Sequence, residues 1–307
     1  MHAWETIQKT VDYIEEHLQE NLQAEDLAVM VGLSPFYFQR LFKRLVNKPL
    51  QEYIKLRRLA KSIEVLNTDN QRILDVALDY GFASHANYTR AFKDAFGITP
   101  EEYKKKQPLL NTYVKPLISM GYVIVDEGVP LIVEDIVLEI RRERITTPEI
   151  FLGLSADVSI TAQTPIGEST GLDAPGQLWA HYHKEKSTIE EYIQPSIELG
   201  MSCSVTAEKG TFSYFAGGLA KTVPENLPDG FVQRELSIGE YIVCSIEAES
   251  FEKLVTTALD QAGKYLFGTW LPKHELTTQP FSAEKYYITS QETHHMEIWV
   301  SPITTTK

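Results

Sequence analysis

Apolar residues follow two rhythms along this chain. Over the first hundred positions they recur every three or four residues, and beyond about residue 130 they alternate or gather in short runs. Trp4, Ile7, Val11, Ile14 and Leu18 predict an amphipathic helix over 3–19. Leu27, Ala28 and Val31 make a shorter stripe, Gly32 supplies a left-handed turn, Ser34 can cap and Pro35 suits the first position of the next helix. From Pro49 to Leu66, the apolar residues Tyr53, Leu56, Leu59, Ile63 and Leu66 predict a helix spanning about 27 Å at ~1.5 Å per residue. Thr99-Pro100-Glu101-Glu102 opens a last helix with a capping box, Lys104, Lys105 and Lys106 follow, and Pro108 stops it.

Part of this pattern is written twice. A shift of 49 to 50 positions lays Ala28 on Ala77, Gly32 on Gly81, Arg40 on Arg90, Phe42 on Phe92, Lys43 on Lys93 and Glu52-Tyr53 on Glu102-Tyr103. A register kept at so many positions marks one supersecondary unit duplicated. Each copy is a short helix, a glycine turn and a second helix opened by serine, Ser34 or Ser84, which is helix-turn-helix grammar. Leu41, Phe42, Leu45, Ala91, Phe92 and Phe96 are its expected core. The helix between the copies can hold two recognition helices about one turn of B-DNA apart, ~34 Å.

The second rhythm begins after a change of composition. Pro108, Pro116, Gly121, Gly128 and Pro130 interrupt any helical period, so residues 109–129 read as a linker between domains at 1–108 and 130–304, with a strand at Tyr122–Val125. Strand-like runs follow at Leu131–Arg141, Phe151–Leu154, Thr211–Ala216, Glu240–Ile246, Lys285–Thr289 and Met296–Ile303, with helical stretches at Gln177–Ile193 and Phe251–Phe267. Strand, helix and strands recur on either side of Pro228. The expected fold is therefore an all-α double helix-turn-helix domain, then an α+β domain of duplicated strand-helix-strand-strand units around an antiparallel sheet.

Charge sharpens the division. The 307 residues carry a formal net charge of -13, which argues against a nucleic-acid partner until the chain is split. Residues 1–110 hold 15 basic and 15 acidic residues, and residues 111–307 hold 14 and 27. Within 34–61, Arg40, Lys43, Arg44, Lys48, Lys55, Arg57, Arg58 and Lys61 face Glu52 alone, the footprint of a phosphate-binding surface or of a solvated helix face. The apolar and charged fractions, 43% and 23%, are those of a globular chain. Two cysteines are too few for a disulfide framework, the N-terminus lacks a signal peptide's apolar segment, and no run reaches the ~18 apolar residues of a membrane span. The expectation is a cytoplasmic protein without a membrane partner.

The residues Ala28-x-x-x-Gly32-Leu33-Ser34, Arg40-x-Phe42-Lys43, their repeat from Ala77 to Lys93, and Gly97-Ile98-Thr99-Pro100-x-x-Tyr103 resemble the DNA-binding domain of AraC/XylS-family transcription regulators over the first third of the chain. In the first copy Asn47-Lys48-Pro49-Leu50 replaces the family's Gly-x-[ST]-Pro close, and Phe36 stands where a base-contacting residue is often found. The resemblance implies double-stranded DNA as partner. Its contact set would be Phe36, Gln39, Arg40 and Lys43 in the first recognition helix and His85, Asn87, Thr89 and Arg90 in the second. Gln39, Arg40, Asn87 and Arg90 have the forked geometry suited to adenine or guanine edges. For the two arginines, phosphate contact and an internal salt bridge stay open.

A second resemblance covers about residues 130–303, to the GyrI-like effector-binding domain. It rests on Trp179, Phe212-Ser213-Tyr214 with Gly217-Gly218, Ile238-Gly239-Glu240-Tyr241, Trp270, Glu284-x-Tyr286 and Met296-Glu297-Ile298-Trp299-Val300. Alternation in the last string puts Met296, Ile298 and Val300 on one strand face and Glu297 and Trp299 on the other, which would aim a carboxylate and an indole at the cleft between the repeats. With the rings the resemblance suggests, Trp179, Tyr214, Trp270 and Tyr286, such a site suits a small lipophilic cation. The alternative is hydrolysis of a small electrophile by Glu297 with Tyr214, since some stand-alone GyrI-like proteins are hydrolases. Fusion to a DNA reader favours sensing, so the expectation is no enzyme and no cofactor. Gly153-Leu154-Ser155-Ala156-Asp157 lacks the closing glycine of a nucleophile elbow. His181-x-His183 and His294-His295 are each spaced so that their rings diverge, against a metal site. Regulation would run through domain docking or a surface shown to RNA polymerase.

Overall fold

The computed structural model describes residues 2–68, 71–133, 136–160, 172–206, 210–288 and 294–303. The chain divides into two units, Met1–Val123 and Ile124–Lys307.

The first unit is helical: α1 (Ala3–Glu16), α2 (Ala24–Met30), α3 (Pro35–Val46), α4 (Leu50–Leu66), α5 (Ile73–Asp79), α6 (His85–Phe96) and α7 (Pro100–Lys106). Each α-turn-α unit is built alike. Gly32 and Gly81 turn the chain at φ 70° and 73°, and the Ser34 and Ser84 hydroxyls accept the Tyr37 and Asn87 amides. Asn47, at φ 59°, does for the end of α3 what Gly97, at φ 76°, does for α6. Asparagine tolerates that left-handed conformation, so the first copy keeps its turn without the glycine. Ile7, Val11 and Ile14 of α1 meet Phe38 and Phe42 of α3 and Tyr53 of α4 in one core, against which Leu41 and Leu45 are partly buried. In the second copy Tyr88, Phe92 and Phe96 are buried and packed ring to ring.

Helix α4 is the beam between the copies, and its polar ties hold it there. Glu15 of α1 accepts the Arg57 Nε and Nη2 protons at 2.8 and 2.7 Å and the Tyr53 hydroxyl at 2.6 Å. At the other end Ser62 meets the Tyr88 hydroxyl at 2.7 Å. Arg57 also donates to the carbonyl of Tyr113, and the Ile118 amide donates to Gln8. Residues 109–123, read from sequence as linker, therefore lie within the first unit. No strand forms at Tyr122–Val125: a 3-10 turn occupies Ile118–Tyr122, because Ile118 and Met120 are buried.

The second unit carries β1 (Leu131–Val133), β2 (Ile136–Ile145), β3 (Glu149–Ser159), α8 (Ala174–Glu185), β4 (Ile193–Thr206), β5 (Thr211–Ala220), β6 (Val232–Leu236) and β7 (Gly239–Ala248). A helical run over 251–273, α9, contains π-helical turns at Leu254–Ala258 and Leu266–Trp270, and β8 (Thr278–Tyr287) and β9 (His294–Pro302) close the unit. All pairings are antiparallel, in the order β1-β2-β7-β9-β8-β4-β5-β3-β6. The duplication is plain in that order: β7-β9-β8 mirrors β3-β5-β4 across the β8/β4 pair, each trio with its own helix. The run Leu131–Arg141 is in fact a hairpin, β1 with β2. The helix read to Ile193 stops at Glu185, and the Thr289 end of the strand read at Lys285–Thr289 lies outside the described residues.

Short links curl the sheet. β2 and β3 belong to opposite flanks but are joined by residues 146–148 alone, and β6 and β7 by 237–238. So few residues reach only about 10–14 Å, so the two flanks must approach at the end where Ile145 pairs with Gly239 and Glu149 with Leu236. Cross-strand partners Gly153 and Gly217 let the backbone bend inward, since a Cβ at Gly153 would stand 2.0 Å from the Ala216 carbonyl oxygen. The face lacking α8 is thereby rolled into a core of Phe151, Leu199, Phe215, Leu236, Tyr241, Val243 and Trp299. The other face of the β3-β5-β4 trio packs Leu152, Leu154, Phe212 and Ala216 against Leu178 and Tyr182 of α8.

Candidate functional site

On α3, Phe36, Gln39, Arg40 and Lys43 are all exposed, on the side away from the buried Phe38 and Phe42. Phe36 stands 77% exposed, which no core role explains. On α6, Asn87 and Arg90 are exposed opposite Tyr88 and Phe92. Among the described residues, Arg40, Lys43 and Arg90 make no hydrogen bond or ion pair, so the internal salt bridge left open from sequence does not form. Two further members of the sequence set behave differently. His85 places its Nε2 3.0 Å from Glu101 of α7, and the Thr89 hydroxyl is buried without a partner among the described residues.

The basic run is thinner than its sequence suggests. Arg57 is buried against Glu15, and Arg58 donates to the carbonyls of Leu18 and Glu20 while covering Gly81. Lys61 pairs with Glu64, and Lys48 lies near Glu52 and over the Tyr113 ring. Arg40, Lys43, Arg44 and Lys55 remain exposed. Lys104 donates to the Gln71 carbonyl, tying α7 to the start of the second copy.

In the second unit the rings expected around one carboxylate gather around another. Trp179 of α8 donates to the Tyr214 hydroxyl at 3.0 Å and stands edge-on to Tyr286, ring centroids 5.4 Å apart. Gly200 gives them their floor, for a Cβ there would lie 2.6 Å from the Tyr214 hydroxyl. Tyr286 donates to Glu284 at 2.7 Å, and Glu284 pairs across the sheet with Gly200. Glu284 keeps some exposed surface, yet burial raises its carboxyl above the ordinary range against the Tyr286 hydrogen bond, and the charge of Asp173 raises it further. Burial, with the Glu284 charge beside them, also raises the Tyr214 and Tyr286 hydroxyls well above theirs. Among the described residues Glu284 has no cationic partner. Its neighbour Glu198 has Lys186 at 3.1 Å and the His183 ring at 2.9 Å, and these partners outweigh burial and lower its carboxyl.

Glu297 and Trp299 stand on the opposite face. Glu297 is 4% exposed and saturated: Arg141 Nη2 at 2.7 Å, the Tyr287 hydroxyl at 2.8 Å and the Trp299 Nε1 at 2.9 Å all donate to it. Burial alone would raise this carboxyl, but Arg141 and the other donors hold it below the ordinary range. Alternation along β9 was read correctly, but the cluster lies on the face that α8 covers, because α8 brings Trp179. Trp270 is sealed as well, donating to the Val125 carbonyl and stacking on His274 at 4.0 Å. The carboxylate that sequence reasoning passed over, Glu284, shares strand parity with Tyr286, and that parity was the available signal.

No group of three or more His, Cys, Asp or Glu suited to a metal occurs among the described residues. His183 is engaged by Glu198 and His295 by Ser245, while His294 stands edge-on to Phe251. Nor is any described helix long and apolar enough to cross a membrane.

A doubled helix-turn-helix with exposed recognition helices, joined in one chain to a duplicated α+β unit, defines a DNA-binding regulator with a sensory domain. Comparison with known proteins gives the same answer twice. Residues 27–106 match the model of a helix-turn-helix domain, and residues 152–301 that of the GyrI-like small molecule binding domain. The transcriptional regulator Rob of Salmonella typhimurium is 26% identical over 285 residues, covering 92% of this chain and 89% of Rob. The regulatory protein SoxS of the same organism is 33% identical over 34% of this chain and 99% of its own length. The TetD protein of transposon Tn10 from Escherichia coli is 39% identical over 31% of this chain and 69% of TetD. The chain belongs to the AraC/XylS family of transcription regulators: it binds DNA through its N-terminal domain and carries a GyrI-like small-molecule-binding domain.

Proposed function

We propose that α3 and α6 read two successive major grooves on one face of an operator, in the cytoplasm, and that the effector is a small lipophilic cation held by Glu284, Trp179, Tyr214 and Tyr286. The DNA reading is carried by Arg40 and Arg90, exposed and without a partner among the described residues, at matching positions of the two copies. Helix α4, at 17 residues, spaces those copies by a rod of about 25 Å, comparable with the ~34 Å between grooves once the width of the recognition helices is added. Phe36, Gln39 and Lys43 work beside Arg40, and Asn87 and His85 beside Arg90; buried Thr89 Oγ1 leaves that hydroxyl out. Arg40→Ala and Arg90→Ala should each weaken specific binding by about 1–3 kcal/mol if they grip base edges. If they grip phosphate, the log–log salt dependence of affinity should flatten by about one unit. A mobility-shift titration at two salt concentrations separates these cases, and unchanged affinity in both variants would remove the groove assignment.

The effector reading rests on one observation: a carboxylate that has no cation among the described residues, beside three aromatic side chains, in the domain that binds small molecules. A desolvated cation over such rings gains about 0.5–2 kcal/mol beyond its charge pairing. The hydrolytic pair drawn from sequence, Glu297 with Tyr214, does not assemble, for the two residues occupy opposite faces and Glu297 is consumed by Arg141. Glu284→Gln should abolish binding of tetraphenylphosphonium, used as a generic lipophilic cation, in a calorimetric titration, while Glu297→Gln should spare it. The reverse outcome would return the site to the other face.

A further inference from the structure

The effector site raises a question of charge before any effector arrives. Glu284 sits where solvent is scarce, hydrogen-bonded by Tyr286 through Oε2 alone, with two more carboxylates close by in Asp173 and Glu198. From β8 comes Tyr286, a donor; from β5, Tyr214, whose hydroxyl already accepts the Trp179 indole; from β9, Ile298, which is apolar and stands directly across from Glu284. From α8 come Trp179 and, at its N-cap, Asp173, whose carboxylate accepts the Gly176 amide. From β4 comes Glu198, but Lys186 and the His183 ring near it are bonded to Glu198 itself. No described neighbour supplies Glu284 with a positive charge.

An isolated carboxylate in such surroundings has two ways of avoiding a naked charge: keep a proton or acquire a cation. We propose, resting on the effector reading above, that the site is a cation-for-proton exchanger. Glu284 holds a proton while the site is empty and releases it to solvent as a monocation seats against the rings. The protonated carboxyl, the cation and one water are converted to the bound carboxylate–cation pair and one hydronium, which leaves to solvent. The ring cluster then recognises the apolar body of the ligand, and the exchange recognises its permanent charge. A neutral molecule of the same shape would find an acid with no reason to ionise and would bind without proton release.

The consequence is a definite pH dependence. Below the pH at which empty Glu284 ionises, protons compete with the effector, and affinity should fall about tenfold for each unit of acidification. Tyr286 stabilises the carboxylate form, so Tyr286→Phe should move the onset of that fall to higher pH. A residue with a merely structural part would lower affinity at every pH alike.

The test is calorimetric titration of the full chain with tetraphenylphosphonium at several pH values, each in two buffers of different ionisation enthalpy. Wild type should release protons on binding, up to one per ligand as the pH is lowered, and Tyr286→Phe should release more than wild type at a given pH. If Glu284→Gln abolishes binding but wild type binds with no buffer-dependent heat at any pH, the site stands and the exchange is overturned. If Glu284→Gln binds as tightly as wild type, the effector site itself is misplaced. A proton release that persists in a Glu284→Gln variant with residual binding would assign it to His183 and Glu198 and would equally overturn the proposal.

Discussion

Glu284 and Glu297 lie on neighbouring strands and answer to opposite electrostatics, and that contrast can be measured as stability. The Glu297 carboxyl is held below its unfolded value, so its contribution is complete above that value, near pH 4.5, and lost as pH falls through the lower folded one. Glu297→Gln should cost about 1.5–3 kcal/mol at neutral pH, because it removes the buried charge to which Arg141, Tyr287 and Trp299 donate, and should remove part of the acid sensitivity of unfolding. Glu284 is raised in the fold, so the native state holds its proton more tightly and stability declines as pH climbs from the unfolded value through the folded one. Glu284→Gln should therefore raise the melting temperature at pH 8 and leave it nearly unchanged at pH 4. A proposed binding site that costs stability and a framework that supplies it are thus told apart by two single-atom changes. Cys244 is no part of either: burial pushes its thiol up to about 12, leaving it inert.

At the scale of elements, the helix-turn-helix copies depend on small local devices as much as on their core. Ser84→Ala removes the acceptor of the Asn87 amide and should cost about 1 kcal/mol, read as a lower unfolding midpoint. Arg57→Ala should cost more, about 3 kcal/mol, because Glu15, little exposed, would lose its cationic partner and keep the Tyr53 hydroxyl. These helices were legible in sequence because a 3.6-residue rhythm, glycine turns and serine caps agree with one another twice over. Burial of charge was not: nothing in the spacing of Arg57 and Arg58 distinguishes an arginine that ties α4 to α1 from one that meets phosphate. The sheet was read less completely. β4 was missed altogether: Ile197, Leu199, Met201 and Cys203 alternate along it, but the helical pattern through Gln177–Ile193 runs up to its start. Strand alternation sorted the residues of β9 into two faces, but it could not say that the rings expected beside Glu297 would gather on the other face, where α8 brings Trp179 beside Tyr286 and Glu284. The site proposed above follows those rings.

At the scale of the whole molecule, the first unit extends past its last recognition helix. Tyr113 and Ile118 pack into its core, and Lys115 pairs with Asp12 at 2.7 Å. A fragment ending at residue 123 should therefore be more stable than one ending at 108 by about 3 kcal/mol or more, from lost apolar burial and hydrogen bonds, with chemical denaturation as the readout. Proline and glycine spacing suggested a free tether there, since composition registers the loss of helical period and is silent on what an irregular segment packs against.

The paired links at residues 146–148 and 237–238 have a bearing on how the sensory domain moves. They clasp both flanks of the curled sheet at a single rim, so thermal opening has one place to begin, the rim opposite. Amide protons near Ile145 and Leu236 should then outlast those near Ala248 and Val232 in hydrogen exchange.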